Sequence, residues 1–310
     1  MHKGKALVIG GGGFIGHNLV KRLKKEGWFV SVVDLKKCPY EESPADTYHV
    51  ADIRSVFFGF EAFDRIYQLA ADMGGAGFVF TGENDAEILT NSLSININLL
   101  NVLARSKYKG TVLYSSSVCS YPAEVEGKES DAYPANPPSN YGWEKLTSER
   151  LYLAYAKKYG LDIRIARFHN TFGPYGTYDG GREKFPAATC RKVAKAEKEI
   201  EVWGDGKQER PFIFIEDLLD GIEALMQSDF KEPINLGPDE SVTINEMVDL
   251  VCEIAGKQLK KKHVEGPTGE QKRQASCQLA KEKLNWKPKT SLKDAFTITY
   301  NWINEQVTKS

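Results

Sequence analysis

Cysteine is scarce: five residues, at 38, 119, 190, 252 and 277, dispersed and in no metal-ligand spacing. A disulfide framework is not expected from that pattern, and a reducing, cytoplasmic setting fits it better. No apolar run reaches the length that a bilayer span requires. The opening Met1-His2-Lys3-Gly4-Lys5 leads straight into a short strand-like run, so neither a signal peptide nor a membrane helix is expected. Charge of one sign is not in excess either. Lysine and arginine number 41 against 42 aspartates and glutamates, a net charge of −1, which gives no bulk attraction to nucleic acid or to an anionic membrane. Internal repeats and low-complexity tracts are missing, and no His/Asp/Glu cluster suggests a metal.

What remains is the composition of an ordinary globule. At 310 residues and 41% hydrophobic, the chain suits one or two closely packed domains with a sizeable core. Short β-rich runs alternate with helical patterns through the first half. Strands are predicted at Ala6–Ile9, Phe29–Asp34, Arg65–Leu69 and Thr111–Tyr114, and again at Asp162–Arg167. Helices are predicted over Phe14–Lys25, ended by Gly27, and around 88–106 and 141–159. This alternation predicts an α/β fold, a Rossmann-type doubly wound parallel sheet covered on both faces. After 168 the pattern loosens into Gly/Pro-rich loops (Phe172-Gly173-Pro174-Tyr175-Gly176) and further short elements, read as a smaller C-terminal lobe. Residues 1–167, with 211–236 returning to them, are assigned to the larger domain, and 168–210 and 237–310 to the lobe.

The first predicted strand runs into Gly10-Gly11-Gly12-Gly13-Phe14-Ile15-Gly16, a G-x-x-G-x-x-G pattern that opens a helix. Glycines let the backbone turn tightly and approach a pyrophosphate, and the helix N-terminus supplies free N–H groups and partial positive charge. Asp34 ends the second strand, 18 residues after Gly16. A carboxylate there accepts hydrogen bonds from the adenosine ribose and repels a 2′-phosphate, so NAD is expected rather than NADP.

Tyr141-Gly142-Trp143-Glu144-Lys145 holds Y-x-x-x-K on a predicted helix, a spacing that puts both side chains on one face. An ammonium beside a phenol favours the phenolate, lowering a pKa that is ordinarily about 10. Such a tyrosine removes a proton from a sugar hydroxyl while the carbon is oxidised by the nicotinamide. The run Ser115-Ser116-Ser117 is placed just after a strand, where a hydroxyl can share the same substrate oxygen.

These features, with Asp52-Ile53 and Leu69-Ala70-Ala71, resemble the extended short-chain dehydrogenase/reductase superfamily that acts on nucleotide sugars. Arg210-Pro211-Phe212-Ile213-Phe214-Ile215-Glu216-Asp217 and Leu284-Asn285-Trp286-Lys287-Pro288 resemble its later landmarks, so the likeness spans the chain. Longer strings narrow it. Leu69-Ala70-Ala71-Asp72-Met73-Gly74-Gly75-Ala76-Gly77-Phe78, Arg167-Phe168-His169-Asn170, Gly173 to Thr177 leading into Gly180-Gly181-Arg182-Glu183-Lys184, and Trp203-Gly204-Asp205-Gly206 are similar to the GDP-mannose 3,5-epimerase family. The resemblance implies NAD held by Gly10, Gly13, Phe14, Ile15 and Gly16 of the turn, by Asp34, Asp52 and Ile53, by Leu69, Ala70 and Ala71, and by Ser115, Tyr141, Lys145 and Phe168. It implies a homodimer formed through the helices around 88–106 and 141–159.

In Ser117-Val118-Cys119-Ser120-Tyr121-Pro122 a cysteine falls two residues after the serine expected at the sugar C4 oxygen. In related dehydratases an acidic residue commonly takes that place. Once C4 is a ketone, C3–H and C5–H are both acidified, and a thiol of ordinary pKa about 8.5 sits near working pH. Inversion needs a second group on the opposite face, and Lys184 resembles the family's second acid/base. Tyr141, Lys145, Ser117, Cys119 and Lys184 are therefore the expected catalytic set. By resemblance Gly77, Ser117, Val118, Cys119, Asn170, Glu183, Lys184, Phe185, Lys192, Gln208 and Arg210 line the GDP-sugar pocket, with Arg273 on the diphosphate. His169 is expected to pack or hydrogen-bond rather than to bind metal. The segment Gln274-Ala275-Ser276-Cys277 departs from the serine-aspartate-asparagine run expected there, which leaves the sugar, hexose or heptose, open. The alternatives are a 4-epimerase or 4,6-dehydratase of the same superfamily and, from another class, a non-catalytic NAD-binding regulator.

Overall fold

The computed structural model describes residues 2–55, 59–123, 125–266, 271–272 and 275–309. Chain order runs β1 (Lys5–Ile9), α1 (Phe14–Lys25), β2 (Phe29–Asp34), β3 (Thr47–Val50), β4 (Arg65–Gln68), α2 (Ala76–Val79), α3 (Asp85–Arg105), β5 (Thr111–Ser117), α4 (Asn140–Tyr159) and β6 (Asp162–Phe168). It continues through β7 (Asn170–Phe172), α5 (Phe185–Lys195), β8 (Glu199–Trp203), β9 (Glu209–Arg210), β10 (Phe212–Phe214), α6 (Ile215–Gln227) and β11 (Ile234–Leu236). The last elements are β12 (Val242–Thr243), α7 (Ile244–Ile254), β13 (Lys260–Val264), α8 (Gln278–Leu284) and α9 (Leu292–Lys309).

Seven strands form one sheet in the order β11-β6-β5-β4-β1-β2-β3, and every pairing in it is parallel. A parallel sheet needs both faces covered, and the strands supply apolar side chains to both. Ala6, Val8, Val30, Val32, Leu113 and Ala166 enter a core shared with α1, α6 and the C-terminal elements. Leu7, Ile9, Val33, Ile66, Val112 and Ile165 enter a second core with α3 and α4. The strand order reverses between β1 and β4, the place where open α/β sheets bind ligands beyond their strand C-termini.

Two expectations need correction. The serine run does not follow the strand: Ser115, Ser116 and Ser117 are its last three residues, paired with Ala166, Arg167 and Phe168. The elements after 168 are not uniformly short, since α6 has 13 residues and α9 has 18. Burial explains both. Polar serines are tolerated in a central strand because their hydroxyls find partners, as Ser115 Oγ does on the Gln68 carbonyl at 2.9 Å. The amphipathic α6 and α9 acquire their apolar surroundings only through tertiary packing.

Candidate active site

The glycine turn after β1 lies beside the segment after β4. A Cβ on Gly10 would stand 2.7 Å from the Ala70 nitrogen, and one on Gly16 would stand 2.1 Å from the Gly10 carbonyl oxygen. Only glycine permits this packing, and Gly10 also has φ +87°. Gly13 caps α1 without a side chain, and no acidic residue stands in the first turn, so the N-terminal N–H groups remain available to an anion. Asp34 Oδ2 accepts from Gly12 N at 2.9 Å and its Oδ1 from Lys36 N at 3.1 Å, which aims the carboxylate at the turn. Asp52 is ion-paired with Arg54 at 2.6 Å, and the Ile53 carbonyl accepts from Asn98 Nδ2 at 2.6 Å. Leu69, Ala70 and Ala71 lead away from β4, and Gln68 ties Ala70 down through both its nitrogen and its carbonyl oxygen.

Helix α4 is capped by the Ser139 hydroxyl, which accepts from Gly142 N at 3.2 Å. Tyr141 and Lys145 are both buried, and the Lys145 ammonium stands 5.6 Å from the Tyr141 ring centroid. It donates to the Ser115 carbonyl at 3.2 Å, which fixes it against the end of β5. Ser117 Oγ accepts from Cys119 N at 3.1 Å and starts a short turn, Val118–Ser120. A Cβ on Gly142 would stand 2.2 Å from the Cys119 carbonyl oxygen, so α4 presses directly on that turn. Cys119 and Tyr141 meet in one small cluster with Met73, Phe78 and Ile88.

Lys184, half-buried, is the residue before α5. Loss of hydration pulls its amine below the ordinary lysine range; the Cys119 thiol opposes the shift and the Lys145 ammonium adds to it. Three of the expected groups therefore lie close enough to feel one another's charge. The segment that brings Lys184 in is strapped to the loop after β4. Arg182 Nη1 pairs with Asp72 Oδ1 at 3.0 Å, its guanidinium covers the Phe78 ring at 4.2 Å, and its carbonyl accepts from Gly75 N at 3.2 Å.

The remaining expected pocket residues are more scattered. Gly77 lies in α2, and Val118 is buried as the first residue of the Cys119 turn. Phe168 closes β6, and Asn170 opens β7 opposite Phe212. Phe185 is the first residue of α5. Glu183 is turned onto its own strap, accepting from Gly181 N and from Arg191. Lys192 donates to the Glu201 carbonyl and sits 5.8 Å from the Trp203 ring. Gln208 is buried with its side-chain oxygen unpartnered among the described residues, and Arg210 donates to the carbonyls of Glu209 and Gln271. Arg273 lies outside the described residues. His169 packs against Gly237 and stands 3.6 Å from Cys277 Sγ, and burial pushes its imidazole pKa down to about 3.

Residues 6–237 match the NAD dependent epimerase/dehydratase family. The chain belongs to this family. GDP-mannose 3,5-epimerase of Arabidopsis thaliana is 42% identical to it, an alignment covering 98% of this chain and 83% of the plant protein. GDP-mannose 3,5-epimerase 1 of Oryza sativa subsp. indica is 41% identical, over 97% and 82%. Among solved structures, the UDP-glucose 4-epimerase of Thermotoga maritima superposes with a TM-score of 0.88 at 24% identity, covering 98% and 99% of the two chains, which shows the shared fold. The glycine turn, the uncapped N-terminus of α1 and the Asp34 carboxylate fit the dinucleotide that the family uses.

Two features of the site were not singled out in the sequence. Glu144 and its partner Asn96 are buried behind Lys145, although Glu144 falls three residues after Tyr141, on the same helical face. The Arg182–Asp72 strap carries no sequence signal, because its partners are 110 residues apart.

Proposed function

We propose that the protein inverts C5, C3 or both in a GDP-mannose-type nucleotide sugar through a 4-keto intermediate. One observation carries this reading: Cys119 packs in one buried cluster with Tyr141, whose ring centroid stands 5.6 Å from the Lys145 ammonium. The similarity to plant GDP-mannose 3,5-epimerases along almost the whole chain supports it. NAD, when bound, supplies reversible oxidation at C4 and is unchanged over a full turnover. Tyr141, beside the Lys145 ammonium, takes the C4 hydroxyl proton, with Ser117 on the same oxygen. The resulting ketone acidifies the neighbouring C–H bonds. Cys119 removes a proton from one face, and the Lys184 ammonium returns one to the other. A lysine of depressed pKa is well suited to this, since it gives up its proton more readily than an ordinary ammonium. Tyr141 finally returns its proton to the restored C4 oxygen.

The experiment is incubation of GDP-mannose with the protein in deuterated water. The reading expects deuterium at C5, and at C3 if that centre also inverts. C4 inversion without label would assign a 4-epimerase, loss of water a 4,6-dehydratase, and no change in any member of a panel of GDP- and UDP-sugars a regulator. We also infer that residues 1–167 and 211–236 hold the cofactor and that 168–210 and 237–310 hold the sugar; the pairing of β11 with β6 supports this division. We propose a cytoplasmic homodimer joined through α3 and α4, with no nucleic acid or membrane partner. Ile97 and Trp143, 44% and 40% exposed on those helices, support the dimer. None of the described helices is long and apolar enough to cross a membrane.

A further inference from the structure

Between Tyr141 and Lys145 lies an ionisable side chain that the scheme above leaves idle. Glu144 is 0% exposed, more deeply enclosed than Tyr141 or Lys145. Its Oε1 accepts from Ser148 Oγ at 2.7 Å and from Asn96 Nδ2 at 3.3 Å. Asn96 Oδ1 in turn accepts from Gln68 Nε2 at 3.0 Å and from the Tyr152 hydroxyl at 3.1 Å, so the anchor reaches from α3 to the end of β4. The second oxygen, Oε2, accepts no hydrogen bond among the described residues and stands 3.7 Å from Lys145 Nζ. One oxygen is held by the scaffold and the other is aimed at the ammonium.

The Lys145 ammonium needs such a partner. It is 3% exposed, its described hydrogen bond is to the neutral Ser115 carbonyl, and a second lysine, Lys184, is close enough to repel it. Buried charges are retained where an opposite charge faces them. Other charged and titratable groups around the pair do not serve. Burial, with Glu144 adding to it, raises the phenols of Tyr114 on β5 and Tyr152 on α4 far above their ordinary value. Glu149, also on α4, is taken up by Arg167 at 2.7 Å and by the Ser116 hydroxyl. Cys119 lies toward Lys184, and α3 contributes the uncharged Asn96.

We propose that Glu144 is a positioning residue, the counter-ion that keeps Lys145 charged and aimed, and thereby sets the pH range in which Tyr141 acts as base. This rests on the Tyr141–Lys145 part of the proposed scheme, which the epimerase and dehydratase readings share.

Glu144→Gln keeps the shape and an oxygen for Ser148 and Asn96 but removes the charge. Loss of a negative charge lowers the proton affinity of both Tyr141 and Lys145. Both limbs of the kcat/KM–pH profile should therefore move to lower pH, by roughly 1 to 3 units. A residue that only packs α3 against α4 would lower the rate with both limbs in place, and that result overturns the proposal. A second measurement needs no substrate. In a Lys145→Met background Glu144 is a buried carboxylate without its counter-ion, so adding Glu144→Gln should raise the melting temperature, or cost far less than it costs the parent at the same NAD concentration. Equal cost in both backgrounds, or a double variant that does not fold, overturns the counter-ion role. Neither outcome touches the sugar assignment, which the deuterium experiment tests separately.

Discussion

Tyr141 and Lys145 stand 5.6 Å apart, ring centroid to ammonium, and Cys119 packs in the same small cluster as Tyr141. Removing the Tyr141 hydroxyl takes away the base and little packing. Tyr141→Phe should lower kcat by about 10²–10⁴-fold with the bound NAD unchanged, measured by turnover and cofactor content. Cys119→Ser and Lys184→Ala act one step later. Oxidation at C4 should survive, while solvent deuterium in the product falls by at least about a hundredfold, because a serine hydroxyl is too weak an acid to replace a thiol as base. Full label and normal product in both variants would refute the two-group inversion. Lys184 also carries a stability signature. Its folded-state pKa is depressed below 10.5, so its ammonium is penalised in the fold at pH values below the folded one, and the penalty fades as pH rises toward 10.5. Lys184→Met should therefore melt higher than the parent near pH 7, by roughly 2 °C or more, with the gap closing at alkaline pH. Calorimetry across pH would detect the opposite slope if Lys184 were stabilised as an ion pair.

At the scale of elements, the site depends on how α4 and the residue 180–184 strap are seated. The strap is held at its Arg182 to Asp72, Phe78 and Gly75, two residues before Lys184. Arg182 is 55% exposed at its side chain, so its ion pair contributes less than about 1 kcal/mol to stability. Its effect on geometry should be larger. Arg182→Ala is expected to lower kcat by roughly ten- to a hundredfold through misplacement of Lys184, with melting temperature and NAD content close to the parent. Turnover equal to the parent's would show that α5 alone seats the lysine. Elements were legible where the period was strong: α1 and β2 occupy Phe14–Lys25 and Phe29–Asp34, as predicted. They were illegible where partners are remote, as in β3, whose half-exposed Thr47–Val50 carries no apolar alternation, and α2, which is a single turn.

For the whole molecule, the proposed dimer would join α3 and α4 to their counterparts in a second copy. Exchanging Ile97 and Trp143 together for glutamate would place charges in that contact. The parent should elute at about twice 34.7 kDa and the double variant near 34.7 kDa, by light scattering after gel filtration. A parent that runs as a monomer would remove the dimer from the proposal.

The sequence by itself determined the local chemistry. Glycines that alone permit the turn after β1, an acid at the end of β2, and a tyrosine and lysine four apart on a helix are all short-range facts, because backbone conformation and helical period act over a few residues. Tertiary structure alone decided which distant groups meet. It brought Lys184 to Cys119 and Lys145, joined Arg182 to Asp72, and buried Glu144 with one oxygen facing the Lys145 ammonium. Desolvation and charge–charge coupling depend on surroundings contributed from across the chain, so no local pattern encodes them.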